Sequence, residues 1–210
     1  MLSYRPYYRR HLPHLQPPGA TLFITFRLAG SLPRAVIEEL SAERQRVEQL
    51  VKQVADPAER MQTADLEERR LFGWWDAALD AIRHGPRWLA DPRVAELVTE
   101  SLHYRDGRVY ELRAFCVMPN HVHLVCTPLE KQGGGYHSLT AILHSLKRYT
   151  AREANKILER QGAFWQQESY DHVVRDEGEL RRIVDYVLNN PVKAGMVSTW
   201  EEWPWSYLGP

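Results

Sequence analysis

Cysteine, net charge and long apolar runs are all scarce in this 210-residue chain. Only Cys116 and Cys126 are present, both inside strand-like runs. No disulfide framework is expected, and the thiols read as buried and reduced, as in a cytoplasmic protein. No apolar stretch nears the ~18 residues of a membrane span. The opening MLSYRPYYRRHLPHLQPPG is basic and aromatic but lacks the apolar centre of a secretory signal. No Gly-x-x-x-x-Gly-Lys loop occurs, so chemistry driven by ATP is not expected. Net charge is zero, with 27 basic residues against 27 acidic. The distribution is uneven: residues 1–30 hold four arginines and no acid, residues 31–106 hold 11 basic and 15 acidic, and residues 131–160 hold six basic and two acidic. Overall neutrality therefore does not exclude a polyanionic substrate, because local charge sets the field at a site.

What is present is enough apolar material, 44% of residues, to exclude a disordered chain and to fill one core. TLFITFRL (21–28) follows a Pro-Pro-Gly breaker and reads as a strand. Residues 31–54 read as a helix, with Ser31 as its cap and Pro33 in its first turn. A second helix is expected over about 63–83, and a third over 91–107, ended by Asp-Gly. RVYELRAFCVM (108–118) and HVHLVCTPL (121–129) are strands. Pro119-Asn120 joins them in a turn expected to be wider than two residues, because proline cannot take the positive φ of a tight hairpin. Gly133–Gly135 is a flexible joint. Residues 137–162 form the clearest helix, 169–176 a short strand, and 177–197 a helix stopped by Asn-Asn-Pro. The Trp-rich tail, 198–210, is broken by prolines and expected to pack as an anchor. The order predicts one α+β domain over 1–210, an antiparallel sheet with packed helices, in which 31–106 is a helical insertion after the first strand.

MPNHVHLVCTP (118–128) raises the chemical question. Residues i and i+2 of a strand share a face, so His121 and His123 project together and Val122 projects oppositely. Two imidazoles so placed can share one metal ion; they can equally be two polar side chains on a solvated face. A third ligand would decide.

The helix over 137–162 offers one. At ~100° per residue, Leu139, Leu143, Leu146 and Ile157 fall in one arc with Ile142 at its edge. Glu153 falls inside that arc, and an ionised carboxylate facing a core needs a partner or a metal. Tyr149 lies four residues before Glu153, so the two reach one patch. Arg148, Arg152 and Lys156 form a basic rail beside Tyr149. Core packing accounts for the tyrosine, solvation for the arginines and an ion pair for the glutamate. Together they also fit a hydroxyl nucleophile, an inward carboxylate and a rail for phosphates. At the N-terminus, Arg5, Arg9 and Arg10 alternate with Tyr4, Tyr7 and Tyr8, a pattern able to hold unpaired bases.

VMPNHVHLVCTPLE, HSLKRYTAREANKIL and FWQQESYDHVVRDEGELRRIVDYVLNNPVKAGMV together resemble the REP-associated tyrosine transposases, relatives of the single-tyrosine insertion-sequence transposases in the His-hydrophobic-His (HUH) nuclease superfamily. FITFRLAGSLP and WPWSYL are similar too; 31–106 is the loosest part. The resemblance implies a ferredoxin-like HUH fold, a divalent metal (Mg²⁺ or Mn²⁺), and cleavage and joining of single-stranded or hairpin DNA through a covalent 5′-phosphotyrosine. It maps the metal ligands to His121 and His123 and the nucleophile to Tyr149. In insertion-sequence relatives a glutamine four residues after the tyrosine completes the metal site; here Glu153 stands in that place. Arg148, Arg152, Lys156, Arg5, Arg9 and Arg10 are the expected DNA contacts, and the protein is expected to act as a monomer or homodimer. Two other readings stay open: a protein that binds DNA hairpins without cutting them, and an iron enzyme built on two histidines and one carboxylate.

Overall fold

The computed structural model describes residues 7–9, 13–15, 17–81 and 85–210. Alternating apolar residues build its central sheet. Strand β3 (Leu22–Leu28) sends Leu22, Ile24, Phe26 and Leu28 to one side, all buried, and β5 (His121–Pro128) sends Val122, Leu124 and Cys126 to the same side. The two pair antiparallel, with Thr25 opposite His123 and Arg27 opposite His121. The remaining strands are β4 (Tyr110–Val117), β6 (Trp165–Val173) and β7 (Ser206–Leu208), and the spatial order is β6-β3-β5-β4-β7, antiparallel throughout. A short ribbon of β1 (Tyr7–Arg9) and β2 (Pro13–Leu15) precedes the sheet. The α+β class read from the sequence is the observed one.

Gly30–Pro86 form a compact unit of their own, and the chain to Ala29 together with Arg87–Pro210 forms the other. The first unit is an antiparallel pair of helices, α1 (Arg34–Gln53) and α2 (Pro57–Asp80). Ser31 is not a helix cap; α1 begins after Pro33 without a side-chain cap. Helix α2 starts earlier than predicted, because the Asp56 side chain accepts from the Glu59 amide at 2.8 Å and Pro57 fits the first turn. Arg70 ties α2 to Glu43 of α1.

Helix α3 (Pro92–His103) falls inside the predicted helical insertion yet belongs to the sheet unit. Its Val94, Ala95, Val98 and Leu102 enter the sheet's core. Asp91 caps it through the Arg93 amide at 3.0 Å. Helix α4 (Leu139–Ile157) packs beside α3 on the same sheet face, through Leu139, Ile142, Leu143, Leu146 and Ala154. Thr150 fastens α4 to β6: its hydroxyl donates to the Leu146 carbonyl at 2.8 Å and accepts from Trp165 Nε1 at 2.9 Å. Trp165 also meets Phe26 edge-on, with centroids 4.9 Å apart. Each such fully buried apolar side chain contributes about 1.5–3 kcal/mol.

Helix α5 (Glu177–Leu188) lies against the opposite face, where its Tyr186 meets Phe23 and His123. It stops at Asn189, and a single turn, α6 (Asn190–Lys193), follows. The Trp-rich tail is not merely an anchor: it ends in β7, which extends the sheet beside β4, while Trp203 Nε1 donates to the Val117 carbonyl at 3.0 Å. The link between β4 and β5 is Met118–Pro119–Asn120. The Met118 amide closes onto the His121 carbonyl at 2.9 Å, and the Asn120 carbonyl accepts from the Leu28 amide at 2.9 Å. No helix among the described residues is long and apolar enough to cross a membrane.

Candidate active site

The β4–β5 link delivers His121 and His123 to the face of the sheet turned away from α3 and α4. Both rings are fully buried, with centroids 4.6 Å apart and Nε2 atoms 3.0 Å apart. Desolvation holds both imidazoles neutral: it lowers His121 to about 3, and it lowers His123 well below the usual value, helped by His121 and Lys193.

Their outer nitrogens fix what the inner ones can do. Asn120 Oδ1 accepts only, so its 2.7 Å contact makes His121 Nδ1 the protonated nitrogen and leaves Nε2 a bare lone pair. His123 Nδ1 meets Thr25 Oγ1 at 2.8 Å, and a hydroxyl either donates or accepts. If Thr25 donates, His123 Nε2–H bridges to His121. If Thr25 accepts, two lone pairs converge. The second arrangement is a ready pair of ligands whose outer N–H groups are held by the protein. Two nitrogens bound at right angles about 2.1 Å from one ion lie about 3.0 Å apart, the separation found here. The donor set therefore fits a divalent metal.

Three further groups sit on this face or one helical turn from it. Arg27, cross-strand from His121, is 6% exposed; burial lowers its pKa to about 10 against the opposing pull of Glu168, so it remains a cation at neutral pH. Tyr186 of α5 packs its ring 5.7 Å from that of His123 and 6.1 Å from that of Phe23, and Lys193 Nζ lies 4.0 Å from its centroid. Asn190, four residues after Tyr186, is fully buried, and neither of its side-chain amide atoms has a hydrogen-bond partner among the described residues.

The expected nucleophile lies elsewhere. Helix α4 covers the apolar face, and Tyr149 on its outer side is 44% exposed; the structure does not bring it to the histidines. The reason is rotational. The buried stripe runs through Leu146, Thr150 and Ala154, which turns Tyr149 outward. Nor does Glu153 join the histidines: its carboxylate is held by Arg152 at 2.6 Å and Lys156 at 3.0 Å, bonds that keep it below the ordinary carboxylate range. The rail is thus partly neutralised, and only Arg148 of the three has no ion pair among the described residues. Arg5 and Arg10 lie outside the described residues, and Arg9 is described only as part of β1.

The placement of Tyr186 and Asn190 has a counterpart in the sequence. The resemblance calls for a tyrosine followed four residues later by a carboxamide. Tyr186–Asn190 meets that spacing with an amide, whereas Tyr149–Glu153 meets it with an acid. The Asn-Asn-Pro run, read only as a helix stop, concealed it.

Known proteins are similar to this chain in sequence and in fold. Residues 90–190 match the family model described as "Transposase IS200 like". A REP-associated tyrosine transposase of Haemophilus influenzae is 28% identical over 102 residues, 46% of this chain and 58% of that protein. One from Escherichia coli is 29% identical over 99 residues, 47% of this chain and 54% of that protein. The chain thus matches little more than half the length of these curated relatives. A solved REP-associated tyrosine transposase bound to a REP hairpin shares the fold at a TM-score of 0.54 and 19% identity, over 98% of this chain and 82% of that one. The stretch from α3 through α5, which carries the histidine pair and the tyrosine facing it, is thus the part of the chain that is similar to the IS200-like transposases.

Proposed function

We propose that the protein is a metal-dependent single-stranded DNA endonuclease and strand transferase that acts on REP-like hairpin DNA in the cytoplasm, with Tyr186 rather than Tyr149 as its nucleophile. The observation that carries this reading is the packing of Tyr186 against His123, on the only sheet face that holds the histidine pair.

The chemistry assigned to the chain is a displacement at phosphorus. The Tyr186 oxygen gives up its proton and bonds to the scissile phosphorus. The bond from phosphorus to the 3′-oxygen breaks, and that oxygen leaves as a 3′-hydroxyl after taking a proton. The product is a 5′-phosphotyrosine, which retains the energy of the broken ester. A different 3′-hydroxyl then reverses the step and joins two strands without ATP. Lys193, over the Tyr186 ring, sets a cation beside the phenol. Arg27, beside His121, offers a fixed cation for phosphate oxygens. Asn120 and Thr25 hold the outer nitrogens of the two imidazoles, and with Thr25 as the acceptor both Nε2 lone pairs turn inward. His121 and His123, with the side-chain amide of Asn190 as third ligand, would hold Mg²⁺ or Mn²⁺. When bound, the ion supplies Lewis-acid polarisation of the phosphate.

The test is direct. A hairpin oligonucleotide labelled on the 3′ side of the scissile bond is mixed with the protein and Mn²⁺ and run on a denaturing gel. A labelled protein–DNA adduct that disappears with EDTA is expected. Hairpin binding with no adduct under any divalent ion would replace this reading with that of a non-cleaving hairpin-binding protein.

A further inference from the structure

On the sheet face away from the histidines, the end of α3 and the first half of α4 enclose a cavity of about 310 Å³, lined by Tyr104, Arg105, Arg108, His137 and Ser145. Arg105 is 8% exposed. Its guanidinium donates to the Ser101 carbonyl at 2.7 Å, the Ser101 hydroxyl at 2.6 Å and the Ser145 hydroxyl at 3.1 Å. None of these partners is an anion, and no acid pairs with it among the described residues. Arg108 also has no ion pair among them; its guanidinium rests 4.2 Å from the centroid of the Tyr104 ring. Lys131 adds charge close to His137. Asp106, the acid in the same turn, is turned to the Leu112 amide at 2.8 Å. A buried cation without a counter-ion is costly to hold, so this cavity carries standing positive charge that an anion would neutralise.

Aromatic surface borders that charge. Tyr104 is 63% exposed and Tyr149 44% exposed. Tyr104 lines the cavity, and Tyr149 lies one helical turn beyond the lining residue Ser145 on α4. Cationic groups that track a backbone, set beside exposed rings that accept bases, form the arrangement used for unpaired nucleic acid.

We infer that the α3–α4 groove is a second single-strand binding site, in which Arg105 and Arg108 hold a backbone phosphate and Tyr104 and Tyr149 stack the adjacent bases. The site goes beyond the reading given to the histidine face and borrows from it only the source of the phosphate. It would hold a strand segment other than the one being cut. It also gives Tyr149 a role on the face where the fold places it.

Photo-crosslinking tests the site. An oligodeoxynucleotide of 5-iodouracil and thymine, unable to form a hairpin, is irradiated with the full-length protein in EDTA, and the modified peptides are identified by mass spectrometry. Crosslinks at Tyr104 and Tyr149 are expected. Arg105 also ties α3 to α4, so Arg108→Gln and Tyr104→Ala are the informative variants. Each should weaken oligonucleotide binding by about tenfold in fluorescence anisotropy. Arg108→Gln should also reduce the salt slope by about 0.7, the loss of one phosphate contact. His121→Ala should leave the Tyr104 crosslink in place. Crosslinks confined to β5 and α5 would overturn the inference, as would wild-type binding by both variants. Millimolar dTMP or inorganic phosphate that displaces the strand as well as an equal concentration of oligonucleotide phosphate would overturn it too, in favour of a small-anion pocket. The crosslink reads this groove whether or not an adduct forms at the histidines, so the two proposals fail separately.

Discussion

The sharpest prediction sets two tyrosines against each other. Tyr186→Phe removes one oxygen and leaves a ring of the same shape against Phe23, His123 and Lys193, whose spacings are 6.1, 5.7 and 4.0 Å. Packing is kept, so unfolding stability should change by no more than about 1 kcal/mol. The nucleophile is gone, so covalent adduct with a hairpin oligonucleotide should fall at least 10³-fold, a barrier increase of about 4 kcal/mol or more. Tyr149→Phe acts on a side chain 44% exposed on the other face, and adduct formation should stay within about twofold at saturating DNA. The assay is a time course of adduct on denaturing gels in Mn²⁺, with urea denaturation of each variant alongside. If Tyr186→Phe forms adduct at the wild-type rate, or Tyr149→Phe alone abolishes it, then burial and proximity have been misread as reactivity and the site must be rebuilt around α4.

Other perturbations probe the supports of the site. Thr25→Val removes the partner of His123 Nδ1 and should weaken Mn²⁺ affinity by about 10–100-fold in a calorimetric titration, with little change in fold. Lys193→Gln removes the cation over Tyr186, and the adduct rate should fall by about tenfold in the same gel time course. The buried histidines predict acid sensitivity in EDTA. Their folded pKa values lie below the unfolded ~6.5, at about 3 for His121, so the unfolded state binds more protons between these values and stability falls as pH drops through that window. Urea midpoints from pH 7.5 to 5 should decline in the wild type and less steeply in His121→Gln.

Much of the sheet was legible because its signal is local. Period-two alternation in 21–28 and 121–129 gives the strands and puts both histidines on one face. The stripe on α4 was legible for the same reason. What local pattern cannot specify is which face of a sheet a helix covers. Helices α4 and α5 are both amphipathic, each with a tyrosine beside its stripe, and only tertiary packing sends one to the apolar face and the other to the histidines. The tail packs against the core as expected, but its short strand was not legible: pairing of Ala114 with Leu208 joins residues far apart in sequence and leaves no periodic trace. The early start of α2 is different, since Asp56-Pro57 is itself a local signal of a helix start.

The division of the sheet into two faces also explains why the site can be polar and fully enclosed. Thr25, Arg27, His121 and His123 are all buried, an arrangement that costs free energy in proportion to the polar groups desolvated. On the other side of the same strands, Ile24, Phe26, Val122 and Leu124 pack beneath α3 and α4 and fix the strand register. A one-residue slip of β5 would send both imidazoles into that core and Val122 out of it. The apolar face thus holds the register, and the register holds two nitrogens 3.0 Å apart. A cavity made at Leu124→Ala should therefore cost about 2–5 kcal/mol of stability yet leave metal affinity near wild type while the protein stays folded. Loss of metal affinity in a folded Leu124→Ala protein would show that the histidines are positioned by something other than the strand pairing.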